Sequence, residues 1–192
     1  MEKMQVAVFP IGKLRANCCV AYEKDGSAAV IDPGGDPSPV AEYMEKNGLV
    51  CRAILLTHGH DDHTEGVARL KEMTSAPVYV GSGDAYRLDQ AADQTLSGGE
   101  ELVFGELRIE AIPSPGHTEG GMCYYSDGVL FAGDTLFRGS VGHTDFPGGD
   151  LNELKRSLSA LTERFSDSDT TVIPGHGEIT DFRHELEYNP YL

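Results

Sequence analysis

Four times along this chain a short apolar run ends in a glycine- or proline-marked turn that delivers histidine or aspartate. Cys51–Leu56 runs into Thr57-His58-Gly59-His60-Asp61-Asp62-His63, which packs three histidines and two aspartates into seven residues. Leu107–Ile112 runs into Pro113-Ser114-Pro115-Gly116-His117-Thr118, Val129–Ala132 into Gly133-Asp134-Thr135, and Thr171–Pro174 into Gly175-His176-Gly177. Each apolar run reads as a buried strand, and each turn allows a sharp reversal and a close backbone approach to a ligand. Open α/β sheets bind ligands at strand exits, so the four ends are expected to converge on one rim. A lone His or Asp in a loop is commonplace. Four such ends together point to a metal centre, because neutral imidazoles and carboxylates are ligands of zinc, iron and manganese.

The pattern His-x-His-x-Asp-His, then Gly-His, Gly-Asp and a last Gly-His resembles the metallo-β-lactamase superfamily over nearly the whole chain. That resemblance implies an α/β fold, an αβ/βα sandwich of two mainly antiparallel sheets with helices on the outer faces. It also implies a ligand set. His58, His60 and His117 would hold one metal, Asp62, His63 and His176 a second, and Asp134 would bridge them. The cofactors expected are two divalent ions, Zn²⁺ first, with Fe²⁺ and Mn²⁺ as alternatives. Within the superfamily, Gly133–Asp150, Asn17-Cys18-Cys19-Val20 and Ile31-Asp32-Pro33-Gly34-Gly35 are similar to small hydroxyacylglutathione hydrolases (glyoxalase II). The same text is similar to persulfide dioxygenases, which share the fold and use one iron. Two departures bear on the thiol carrier. Full-length glyoxalase II enzymes carry a C-terminal helical domain that has no counterpart before Leu192, and relatives commonly have Arg where this chain has His143.

The activity implied is hydrolysis of a thioester such as S-lactoylglutathione to a thiol and a hydroxy acid. Water on a dication loses its proton near neutrality, so a metal-bridging hydroxide would be the nucleophile, and no Ser or Cys nucleophile is required. Asp62 and Asp134 are the expected catalytic carboxylates. Asp62 either ligates the second ion or orients the hydroxide, whereas Asp61 falls outside the motif spacing. Asp32, at the end of an early strand, is expected either to support the metal histidines or to form a turn before Pro33-Gly34. Arg138 and His143 follow the bridging aspartate and are candidate substrate contacts, with an ion pair and a surface position as the plain alternatives. Tyr124, Tyr125 and Phe146 are candidate pocket walls, with a place in the core as the commoner role of strand aromatics, and His184 is expected to be exposed. The alternative activity is that of a mononuclear iron persulfide dioxygenase, with His58, His117 and Asp134 as a two-His-one-carboxylate site. A β-lactamase is disfavoured because those enzymes are secreted and often place Cys at the position of Asp134.

Composition sets the remaining bounds. A chain of 192 residues is expected to be a single domain, 1–192, with a sizeable core. The formal charge of −16 disfavours nucleic acid, whose binding rests on phosphate neutralisation. No apolar run is long enough to span a membrane, and Pro10 comes too early for a signal segment, so the expected location is cytoplasmic and the expected partner a small-molecule thioester. Nothing in the sequence specifies an oligomeric state. Cys18, Cys19, Cys51 and Cys123 form no C-x-x-C pair and read as buried free thiols.

Early strands are expected at Met4–Phe9, Asn17–Tyr22 and Ala28–Ile31, with later ones at Val78–Val80, Glu101–Phe104, Leu107–Ile112, Met122–Ser126, Val129–Ala132 and Thr171–Ile173. Lys24-Asp25-Gly26 and Asp127-Gly128 signal hairpins. Ser38-Pro39 starts a helix that Asn47-Gly48 stops. Further helices are expected over Glu65–Met73, Asp84–Asp93, Leu151–Phe165 and Phe182–Glu187, the third carrying a leucine stripe at 151, 154, 158 and 161.

Overall fold

A computed structural model describes residues 3–192. The chain runs β1 (Gln5–Ile11), β2 (Ala16–Tyr22), β3 (Ser27–Ile31), α1 (Ser38–Lys46), β4 (Val50–Leu55), α2 (Asp61–Thr64), α3 (Val67–Thr74) and β5 (Val78–Gly81). After a 3₁₀ turn (Ser82–Arg87) come β6 (Gln94–Leu96), β7 (Glu101–Phe104), β8 (Leu107–Pro113), β9 (Met122–Ser126) and β10 (Val129–Gly133). The small hairpin β11 (Leu136–Phe137) and β12 (Ser140–Val141) precedes α4 (Leu151–Phe165), β13 (Thr171–Pro174), β14 (Thr180–Asp181) and α5 (Phe182–Tyr188).

Two six-stranded sheets form, ordered β1-β2-β3-β4-β5-β6 and β14-β13-β10-β9-β8-β7. Alternation along the strands distributes side chains between three cores. Cys19, Ala21, Ile31 and Leu55 from the first sheet meet Leu107, Ile109, Tyr124, Phe131 and Ile173 from the second. On the other face of the first sheet, Cys18, Val20, Val30 and Ile54 pack on Val40 and Met44 of α1 and Val67 and Leu70 of α3. On the outer face of the second, Cys123, Leu130, Ala132 and Val172 pack on Leu154, Leu158, Leu161 and Phe165 of α4 and Phe182 of α5. The result is the expected four-layer sandwich, and adjacent Cys18 and Cys19 do point to opposite faces. All four cysteines are free and buried.

The expectation of mainly antiparallel pairing holds for the second sheet, where only β10–β13 is parallel. In the first, β1–β3 are antiparallel but β3–β6 are parallel. The reason lies in the connections: α1, then α2 with α3, then the 3₁₀ turn carry the chain back across the sheet before each new strand, as parallel pairing requires. Both hairpin signals hold, and at 127–128 both central residues have positive φ, 44° and 84°, the twist-matched two-residue turn.

Helix α4 spans the residues expected, with Asp150 Oδ1 capping the N–H groups of Asn152 and Glu153. Its buried stripe starts at Leu154, since Leu151 is exposed. The helix expected over Glu65–Met73 is α3 and starts two residues later, set off from the short α2 by Gly66, where the N–H donates to the Pro33 carbonyl (2.8 Å) and any Cβ would strike Gly35 O. Met73 is exposed. Asp84–Asp93 forms no helix beyond the 3₁₀ turn. Among the described residues no helix is long and apolar enough to cross a membrane.

Candidate metal centre

The ends of β4, β8, β10 and β13 lie on one rim, as do their loops. Backbone bonds lock the two sheets together there: Met122 N–H to Thr57 O (2.8 Å) and Asn17 N–H to Gly175 O (2.7 Å). Asn17 Nδ2 also bonds the carbonyls of Pro174 and Gly177, bracketing His176. Glycine is required where ligand loops touch. A Cβ on Gly175 would collide with Asp134 Oδ1 and His63 Cε1.

All seven expected ligand side chains converge. His58, His60 and His117 bring donor atoms within 4.8 Å of one another, and so do Asp62, His63 and His176. Asp134 stands between the two sets, with Oδ1 3.4 Å from His63 Nε2 and Oδ2 3.6 Å from His117 Nε2 and 3.8 Å from His176 Nε2. Within the sets, His60 Nδ1 is 3.0 Å from His117 Nε2, His63 Nε2 is 3.2 Å from His176 Nε2, and His176 Nε2 is 3.0 Å from Asp62 Oδ2. Metal–ligand bonds of about 2.0–2.2 Å in a tetrahedron place ligands roughly 3.3–3.6 Å apart, so the separations fit.

Four of the five outward nitrogens are satisfied by the protein. His117 Nδ1 donates to His143 O (2.6 Å), His176 Nδ1 to Leu14 O (3.2 Å) and His63 Nδ1 to Asp32 Oδ2 (2.9 Å). His58 Nδ1 donates to Thr57 Oγ1 (3.1 Å), which itself donates to Asp32 Oδ2 (2.6 Å). The inward nitrogens are therefore left as lone-pair acceptors facing other acceptors, an arrangement that a cation stabilises. His58 Nε2 and Asp134 Oδ1 are buried without any hydrogen-bond partner, as atoms reserved for an ion would be. The donor set thus fits divalent metal.

Charges point the same way. Burial pushes the His58 pKa well down, with nearby His63 and His117 adding to the effect, and burial also lowers His60. Burial opposes charge on Asp62, but the His176 hydrogen bond and His63 bring its pKa down to about 2. Burial likewise opposes charge on Asp134, yet His63 holds its pKa below the usual carboxylate range. Desolvation disfavours a charged His63, but Asp32 and Asp134 raise it to about 10. Ionised carboxylates at the centre demand positive charge, and a dication supplies it in place of those protons.

Asp32 is therefore a support and not an Asx turn: its carboxylate takes Thr57 N–H (2.7 Å), Thr57 Oγ1 and His63 Nδ1. For Arg138, Tyr124 and Tyr125 the plainer alternative holds. Arg138 lies away from the centre, exposed and paired with Glu178 (2.6 Å). Tyr124 is core, its hydroxyl donating to Leu56 O (2.9 Å), and Tyr125 packs on Phe165 beneath α4. His184 is half-buried against Tyr188. His143 and Phe146 do line the open cleft of about 840 Å³ over the centre, and Asp61 lies on its edge. Sequence reasoning missed Leu14, Arg87 and Phe137 in that lining and Thr57 behind it. Only Thr57 had a signal, its place beside His58.

A sequence model of the metallo-beta-lactamase superfamily matches residues 12–176. The hydroxyacylglutathione hydrolase GloC of Haemophilus influenzae is 31% identical to this chain, covering 98% of each. Two solved structures are also similar. That of the BLEG-1 B3 metallo-beta-lactamase aligns with a TM-score of 0.92 at 31% identity, over 98% of this chain and 99% of its own. The di-iron-bound form of TTHA1623 aligns with a TM-score of 0.83 at 34% identity, over 97% and 100%.

Proposed function

The chain belongs to the metallo-beta-lactamase superfamily, whose members are mostly hydrolases, and from that premise we propose that it is a two-metal hydrolase of thioesters such as S-lactoylglutathione. The observation that carries the two-metal part is the ring of inward donors: five histidines, four of them with the outer nitrogen bonded to protein, and two aspartates, all with their inner atoms facing one another. His58, His60 and His117 would hold one ion, Asp62, His63 and His176 the other, with Asp134 between them. A pair of dications supplies a water whose pKa falls toward 7 and a Lewis acid for a carbonyl oxygen. Zn²⁺, Fe²⁺ and Mn²⁺ all suit this N/O set, and the di-iron relative keeps iron prominent.

The chain's own residues do the rest. Asp32 fixes His63 directly and His58 through Thr57, so the ring orientations are set before any ligand arrives. Phe146 beside His60 (6.0 Å) and Phe137 beside His176 (6.3 Å) present apolar faces to the two arms of a substrate lying across the centre. The thioester assignment is supported by the likeness to GloC along both whole chains.

The test is loss of thioester absorbance with S-lactoylglutathione, using protein purified without chelator, beside His58→Ala. Turnover that vanishes in the variant is the expected result. No turnover with metal confirmed present would overturn the substrate assignment. A second reading, β-lactam hydrolysis, rests on the likeness to BLEG-1, and a β-lactam run in the same assay separates the two.

A further inference from the structure

The cleft has two unlike ends. At one, Phe137 and Leu14 flank His176. At the other, beside His60 and Phe146, stands Arg87, among the described residues the one Lys or Arg in the lining. Its guanidinium is anchored twice, Nε donating to Asp84 Oδ1 (3.3 Å) and Nη2 to the Pro147 carbonyl (2.6 Å). Asp84 is fully buried and also accepts from the N–H groups of Gly59 (2.9 Å) and Gly120 (3.0 Å), within and just beyond two ligand loops. The space for Arg87 is kept by glycines: a Cβ on Gly59 would strike its Cβ and Cδ, and one on Gly148 its Nη2. Among the described residues no acceptor engages Nη1. A guanidinium held still with a spare donor has already lost its rotamer freedom, and a carboxylate is the partner that matches its planar fork.

We propose that Arg87 determines specificity by receiving a carboxylate of the substrate. The favoured substrates are then thioesters with an anionic arm toward Phe146 and the other arm against Leu14 and Phe137. The word thioester rests on the function proposed above, whereas the anion site does not depend on which bond is cleaved.

The experiment is calorimetric titration of the metal-loaded protein with S-methylglutathione, an unreactive thioether bearing two carboxylates, and with its dimethyl ester. Wild type, Arg87→Met and Arg87→Lys are compared, with metal content measured for each. The acid-over-ester affinity ratio is expected to fall about 10-fold or more in Arg87→Met and to recover in part in Arg87→Lys. An unchanged ratio in Arg87→Met, or no binding of the acid by wild type, overturns the proposal. Should Arg87→Met lose metal, Arg87→Lys decides alone, because its charge must retain preference for the acid over the ester. As the probe is not cleaved, failure of S-lactoylglutathione turnover with the ratio behaving as expected removes only the thioester reading. Turnover with an unchanged ratio removes only the role of Arg87.

Discussion

Behind the candidate metal centre, Asp32, Thr57, His58 and His63 are buried and bonded to one another, whereas at its mouth Leu14, His143 and Phe146 stand in solvent. The rear wall is built from strand ends locked by backbone pairing. The mouth is built from loops, namely the turn after β1, the hairpin β11–β12 and the segment following it. Preorganised ligand orientation needs rigidity, and that is found where backbone hydrogen bonds join the two sheets at the rim. Selection among substrates needs surface that varies without disturbing the ligands, and loops on a fixed scaffold provide it. The contrast divides the labour: chemistry at the rear, choice of substrate at the front.

Four substitutions test that division, from the largest expected effect to the smallest. His58→Ala removes an inward donor with no substitute nearby, so metal content and turnover should both fall by more than the roughly 100-fold typical of losing an outer partner. Asp32→Ala should lower metal affinity about 10–100-fold and reduce thermal stability, because His63 and Thr57 lose their shared acceptor. Asp32 also has φ of 52°, which Asp tolerates better than Ala, so Asp32→Asn is the milder control. At the mouth, Phe146→Ala should raise KM about 3- to 10-fold while kcat and metal content hold, the mark of lost uniform binding. Arg138→Ala breaks an exposed ion pair with Glu178, and chemical denaturation should show a change within about 0.5 kcal/mol with turnover unaltered. A large metal loss in Phe146→Ala, or none in Asp32→Ala, would break the division.

The same contrast explains what could be read from the sequence. Rear-wall residues follow strands whose periodicity is visible, so His58, His63, His117, Asp134 and His176 announce themselves by position and type. Helix α4 was equally legible, because its leucines recur at helical spacing. Mouth residues carry no such signal. Arg138 sits four residues after Asp134 and looks like a substrate contact, yet the β11–β12 hairpin turns it outward to Glu178. Arg87 lies far from every motif in the chain and reaches the cleft only because the 3₁₀ turn after β5 folds over Gly59. Strand β6, the edge segment Gln94–Leu96, is mostly exposed and lacks apolar alternation, which hid it. Parallel pairing of β3–β6 depended on how the intervening helices pack, information that single runs of residues do not hold.

The most direct test of the central claim is metal stoichiometry by elemental analysis after reconstitution, on wild type, Asp134→Ala and His176→Ala. Two ions per chain are expected in wild type, falling in both variants, since Asp134 faces both donor sets and His176 belongs to the second. One ion per chain, retained in His176→Ala, would contradict the account and leave the single-iron arrangement of His58, His117 and Asp134 in its place.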